Sequence, residues 1–193
     1  MSENKVKYGL KNVFYSMLTY NTSNVAQYAT PVAIPGAVSL NLDAEGERTS
    51  FYADDVEYFV VNENNGYTGS LEVARIPDSF RKDVLGDIED GKGVLLEDQN
   101  AEIKHFALLF EFKGDIHAIK HVLYNCTASR PSETGNTKGE NIEVQTESVD
   151  LSAKSVYFDT VSKYIVKGKT NASTDATTLS SWYTSVHTPV APV

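Results

Sequence analysis

The sequence predicts a mainly β fold, a sandwich or barrel with one or two short flanking α-helices. Three observations predict it. Eleven Tyr and eight Phe stand against two Met and one Trp in 193 residues, and rings of this kind, with many Val and Thr, suit a pleated, half-buried surface. Apolar and polar residues alternate with period two along several segments, the spacing that gives a strand one inward face. Only one segment carries clear start and stop signals of a helix.

The elements follow in order. Val6, Tyr8 and Leu10 share a parity with Phe14, Leu18 and Tyr20, predicting a strand whose apolar face is interrupted by Asn12 and Ser16. Val38, Leu40 and Leu42 alternate with Ser39, Asn41 and Asp43. Residues 56–61 and 69–76 flank Asn64-Asn65-Gly66, and Asn-Gly between two such runs predicts a hairpin turn. The clearest strand is 104–113, with Phe106, Leu108, Phe110 and Phe112 on one face and His105, Ala107, Leu109 and Glu111 on the other. Gly114-Asp115 turns the chain into a partner strand at 117–125. Residues 142–151 alternate again, Ile142 and Val144 opposing Glu143, Gln145 and Glu147. A last pair is expected at 155–160 and 164–166.

The helix begins at Pro77-Asp78, turns Phe80, Val84 and Leu85 to one face, and stops at Gly86. A second, over 176–185, is weakened by its Ser and Thr content. Three polar stretches read as loops: 43–55, with five acids against Arg48; 83–102, with seven acids against Lys92; and 128–141, rich in Ser, Thr, Gly and Asn. The segment 168–193 is Thr- and Ser-rich and ends in Pro-Val-Ala-Pro-Val, which suggests an extended arm. The expected organisation is a domain over 1–167 followed by an extension over 168–193.

Composition narrows the function classes. Cys126 is the only cysteine, so no intrachain disulfide forms, which suits a reducing cytosol. Met1 to Lys5 are polar, and no segment approaches the roughly 20 apolar residues of a membrane span, so a soluble chain with no membrane partner is expected. A formal charge of −9 offers no basic footprint for gripping nucleic acid.

No catalytic or metal-binding motif is complete in the sequence. His117 and His121 are four apart, but in a strand-patterned run that spacing separates them by about 13 Å. Cys126 reads as a small half-buried strand residue, because nothing nearby in the sequence supplies the positive environment a thiolate needs. Asp87-Ile88-Glu89-Asp90-Gly91 lacks the alternating ligands of a calcium loop. Gly91-Lys92-Gly93 lacks the Gly-Lys-Ser/Thr ending of a phosphate loop, and there is no G-x-S-x-G elbow. The expectation is no enzyme, no cofactor and no metal.

Five stretches carry a resemblance: Lys7-Tyr8-Gly9-Leu10-Lys11-Asn12-Val13; Ala74-Arg75-Ile76-Pro77-Asp78-Ser79-Phe80; 106–112; 121–131; and Glu143-Val144-Gln145-Thr146-Glu147. In this order they resemble the major tail protein family of siphophages, the phi13-type group, over roughly residues 5 to 160. The resemblance implies a β-sandwich of the phage tail-tube type and a homo-oligomer of stacked hexameric rings around a tape-measure protein. Tail terminator and baseplate proteins would be further partners, and DNA would pass through the lumen without specific binding. The implied location is the virion tail, assembled in the host cytoplasm.

Given that role, strands 104–113 or 142–151 are expected at the sheet edge, pairing between neighbouring subunits. Phe51, Tyr52, Asp54 and Asp55 are the ring-stacking candidates, because two aromatics in a charged loop make contact anchors. That the two rings instead fold back onto their own core stays open. Carboxylates lining a lumen would repel phosphates and let DNA slide. The alternatives are another virion protein, such as a decoration or baseplate subunit, and a carbohydrate-binding β-sandwich module. The latter predicts a signal sequence and exposed Trp, whereas Trp182 is the sole Trp.

Overall fold

The computed structural model describes residues 4–114, 116–133, 135–137 and 144–191. β1 (Lys7–Tyr20) is the longest strand, and the short β2 (Ala26–Tyr28) and β3 (Val32–Ala33) pair with it. β4 (Ala37–Glu45), β5 (Arg48–Ala53), β6 (Val56–Asn62) and β7 (Gly66–Val73) follow. α1 (Asp78–Phe80) runs on as a π-helical turn over Arg81–Leu85. β8 (Ile88–Glu89) and β9 (Leu95–Leu96) make a small hairpin, and β10 (Phe106–Gly114) and β11 (Ile119–Ala128) form the centre. β12 (Glu147–Lys154), β13 (Val156–Phe158), β14 (Lys163–Ile165), β15 (Lys167–Lys169) and α2 (Ala176–Ser181) complete the chain.

The main sheet is antiparallel, in the order β2-β1-β10-β11-β12-β7-β4. It curls until β4 approaches β1. The inner face of the curl holds Val13, Tyr15, Leu71, Val73, Phe106, Leu108, Leu123, Val149 and Leu151, with Phe80, Val84 and Leu85 from the helical segment. Phe80 meets both Tyr15 and Phe106 edge to face, at 5.2 and 5.6 Å between centroids. The opposite face of β10 and β11 carries Ala107, Leu109, Val122 and Tyr124 under Val156, Phe158, Trp182 and Val186. The predicted alternation of 106–112 is therefore real, with both of its faces buried.

The first strand departs from its expected single face. β1 carries bulges between Tyr8 and Leu10 and between Lys11 and Phe14, where Gly9 and Asn12 adopt positive φ. An extra residue flips the pleat. Leu10 therefore packs with the inner core while Phe14 and Leu18, of the same parity, pack with the outer one. Asn12 secures the bulge by donating from Nδ2 to Glu111 Oε1 at 2.9 Å.

The helical segment matches its signals. Pro77 precedes it, Phe80, Val84 and Leu85 are buried, and Gly86 closes it at φ 82° in the left-handed conformation. The strand expected over 142–151 instead begins at Glu147 and runs to Lys154, with Val149, Leu151 and Ala153 inward. Val144 is exposed, and Ile142 and Glu143 lie outside the described residues.

The C-terminal segment is not an extended arm within residues 168–191. β15 pairs with β11, and Trp182, 3% exposed, sits in the outer core. Asp175 caps α2 by accepting from the Thr178 N–H, which offsets the weak propensity of its Ser and Thr residues. Tyr183 stacks on Phe14 at 4.7 Å and donates its hydroxyl to Glu111 Oε2 at 2.9 Å. Lys120 Nζ donates to the Leu179 carbonyl at 2.6 Å. Polar composition hid a segment held by three aromatic or charged anchors.

Candidate assembly surfaces

β4–β5 and β6–β7 are the two sides of one long hairpin. At its root β4 pairs with β7 down to Glu45 opposite Gly66. The ladder continues outward through Asn65 N–H to Glu45 O (2.8 Å) and Glu63 N–H to Glu47 O (2.9 Å), then through β5 and β6 from Arg48 opposite Asn62 to Ala53 opposite Val56. A Cβ at Gly46 would collide with the Glu63 carbonyl, so only glycine lets the strands close at this joint. The stretch expected as a polar loop over 43–55 is thus mostly strand.

The reversal is made by Asp54 and Asp55, with φ of 51° and 60°. Two successive left-handed residues match the twist of a two-residue hairpin turn, and Asp tolerates them better than most residues. The expected Asn64-Gly66 turn is not a turn between paired strands. β6 and β7 do not pair with each other, and Asn64-Asn65-Gly66 joins them end to end where the hairpin leaves the sheet.

Beyond the sheet the hairpin has two unlike faces. Thr49 opposes Val61 and Phe51 opposes Phe59, and these four share one side. Phe51 and Phe59 are 61% and 60% exposed, and Val61 is exposed beside them. The other side carries the Arg48–Glu57 ion pair at 2.9 Å, with the Ser50 hydroxyl donating to the same carboxylate. Tyr52, Val56 and Tyr58 are exposed near the tip, where a bulge separates Phe51 from Tyr52. Of the ring-stacking candidates, Phe51 and Tyr52 do not fold back onto the core, and Asp54 and Asp55 form the tip itself. A two-stranded ribbon of this kind has no core and is marginal on its own in water.

The sheet edges differ from those expected. β10 lies between β1 and β11, and β12 between β11 and β7, so both are interior strands of the sheet. Both strands are too apolar on both faces or too well paired to be edges. The sheet path ends at the short β2 on one side and at β4 on the other; among the described residues β4 is bonded only to β7, with Val38 exposed on it.

Cys126, His121 and Asp90 serve the fold. Cys126 is fully buried, and burial pushes its thiol up to about 12, so it stays protonated at neutral pH. His121 stacks on Phe110 at 5.0 Å and is buried, whereas His117 lies before β11 begins. Asp90 spends its carboxylate on the Lys92 and Val94 N–H groups, at 2.8 and 2.9 Å, which turns the β8–β9 hairpin and holds its pKa below the usual range. Among the described residues no group of three His, Cys, Asp or Glu could hold a metal. None of their helices is long and apolar enough to cross a membrane.

The profile of the phage tail tube protein family matches residues 2–187. The chain belongs to the phage tail tube protein family. Among solved structures, this tail tube protein is similar to the tube-terminating cap of the anti-feeding prophage, at 9% identity and a TM-score of 0.50, over 89% of this chain and 97% of that one. A chain of the anti-feeding prophage baseplate aligns at 12% identity and a TM-score of 0.49, over 90% of this chain and 100% of that one. No curated protein sequence matches. The tail tube protein is a structural, non-enzymatic component of a phage virion tail.

Proposed function

We propose that this chain is the major tail tube subunit of a siphophage, polymerising into stacked hexameric rings around a tape-measure protein. The observation that carries the reading is the projecting hairpin with Phe51 and Phe59 bare on one face. A ring requires a head-to-tail contact that closes, and a tube requires a second, different contact along its axis. The free edge of β4 suits the first by strand addition, and the hairpin suits the second. Each ring, once covered, would contribute about 1.5–3 kcal/mol.

The tube so formed would conduct DNA at infection, with tail terminator and baseplate proteins at its ends. Its assembly would take place in the host cytoplasm. An acidic lumen wall would keep phosphates from adhering. Residues 1–167 would act as the tube-building domain, with 168–193 as its C-terminal extension. Electron microscopy of the purified chain, with and without the tape-measure protein, tests the reading. Long tubes of uniform width are expected; dispersed molecules or isolated small rings under both conditions contradict it.

A further inference from the structure

Acids outnumber Lys and Arg by 26 to 17 in this chain, yet Lys7, Lys167 and Lys169 gather at one end of the sheet. Lys7 holds its Nζ 4.9 Å over the Phe112 ring, and Lys167 holds its Nζ 5.2 Å over Tyr67. Lys169 stands opposite His121 on the paired strand. His121 lies between Phe110 and Phe112, 9% exposed, and its Nδ1 finds no hydrogen-bond partner. Burial first, then Lys167, Lys169 and Lys7, hold this imidazole down to about 4. Burial, Lys7 and Lys169 likewise hold Lys167 below the ordinary lysine range. None of the ion pairs among the described residues involves Lys7, Lys167 or Lys169. Like charges packed this closely are costly, and an anion from a neighbouring copy would relieve them.

The other end of the same strands has the opposite character. Phe106 lies six residues from Phe112 along β10, about 20 Å away, and it packs against Phe80. Beside that helical segment opens a cleft of about 620 Å³ lined by Asp78, Asp87, Glu97, Glu133 and Glu147 against Arg75 and Arg81. The guanidiniums there are already engaged, Arg75 with Asp78, Arg81 with Glu133 and Glu147, and Arg130 with Glu97, which leaves five carboxylates against three cations. The cleft therefore keeps a surplus of negative charge.

We propose that the Lys7–Lys167–Lys169 patch of one copy docks against the acidic cleft beside α1 of a second copy, head to tail. The proposal rests on the tube reading and adds to the hairpin a second contact of different chemistry. A contact between unlike patches at opposite ends is heterologous and propagates in one direction. Head-to-head encounters would bring lysine onto lysine, so the charges also reject the wrong polarity. Duplex DNA is the other polyanion that three lysines could meet, but a chain of net charge −9 repels it as a whole.

The test uses the full chain in four forms: wild type, Lys7→Glu with Lys169→Glu, Asp87→Lys with Glu97→Lys, and all four changes together. Lys167 is left alone because it is half-buried, and circular dichroism checks that each form folds. Sedimentation velocity and electron microscopy give the concentration at which tubes appear. Each charge reversal alone should raise it at least about tenfold, and the fourfold variant should restore it to near wild type. Either reversal assembling as wild type does, or a fourfold variant as defective as its parents, overturns the contact. Loss of duplex binding in the lysine variant with tubes intact assigns the patch to phosphate and overturns it as well. Wild-type protein that forms no tubes at all contradicts the tube reading itself, whereas normal tubes from the reversed variants contradict this contact alone.

Discussion

Phe51 and Phe59 stand directly opposite each other on the two strands of the projecting hairpin, and each leaves about three-fifths of its surface bare. The opposite side of the ribbon carries the Arg48–Glu57 ion pair and Ser50 beside Val60 and Tyr52. Exposed side chains of this kind contribute little to the fold of the subunit but much to whatever they meet.

Replacing both rings, as Phe51→Ser with Phe59→Ser, should therefore leave thermal stability within about 0.5 kcal/mol of wild type. The concentration needed for assembly should rise about a hundredfold, from the loss of about 3 kcal/mol or more of covered apolar surface. Melting curves and sedimentation on the same preparations check the two halves.

Phe106→Ala should act in the opposite way. The ring is fully buried and packs on Phe80, so its removal should cost about 3–5 kcal/mol through lost burial and a cavity. Urea denaturation of the free subunit measures this, with the midpoint falling at an unchanged slope.

Trp182→Ala tests whether the C-terminal segment is held as described. Trp182 is buried in the outer core and stacks on His187 at 5.8 Å. Its loss should destabilise the subunit by about 3 kcal/mol or more and open residues 175–191 to limited proteolysis.

The buried histidine gives a pH dependence. The folded state holds His121 down to about 4 from a usual 6.5, chiefly by burial. Above pH 6.5 the imidazole is neutral in both states, and its contribution to stability is fully present. As pH falls from 6.5 towards 4, the unfolded chain takes up a proton that the folded chain refuses, and up to about 3 kcal/mol is lost. Below 4 the loss levels off. Denaturation at a series of pH values should show that slope, flattened in His121→Gln.

Much of this was legible in the sequence because it rests on local patterns. The alternation of 106–112, the Pro77 start and the Gly86 stop all survive, since each is decided by neighbours a few residues away. What was not legible depends on partners distant in the chain. Gly9 and Asn12 gave no sign that they would bulge β1 and send Phe14 to the other core. Asn65-Gly66 carries the chemistry of a hairpin turn, yet it joins β6 to β7, while the less typical Asp54-Asp55 makes the reversal. Edge position is a property of the whole sheet, so apolar β10 was expected at an edge that β4 occupies. Phe51 and Tyr52 stand out in the sequence as two rings among charges, whereas Phe59, which completes the face, lies inside the strand-patterned run 56–61.

Hydrogen–deuterium exchange of residues 48–62, compared between free subunit and assembled tube, tests the central claim most directly. The ribbon is two-stranded and uncovered in the subunit, so its amides should exchange quickly there and slow at least about tenfold once the hairpin is docked. Equal exchange of those amides in subunit and tube would mean that the hairpin joins no neighbour, and the account of how this chain builds a tube would be wrong.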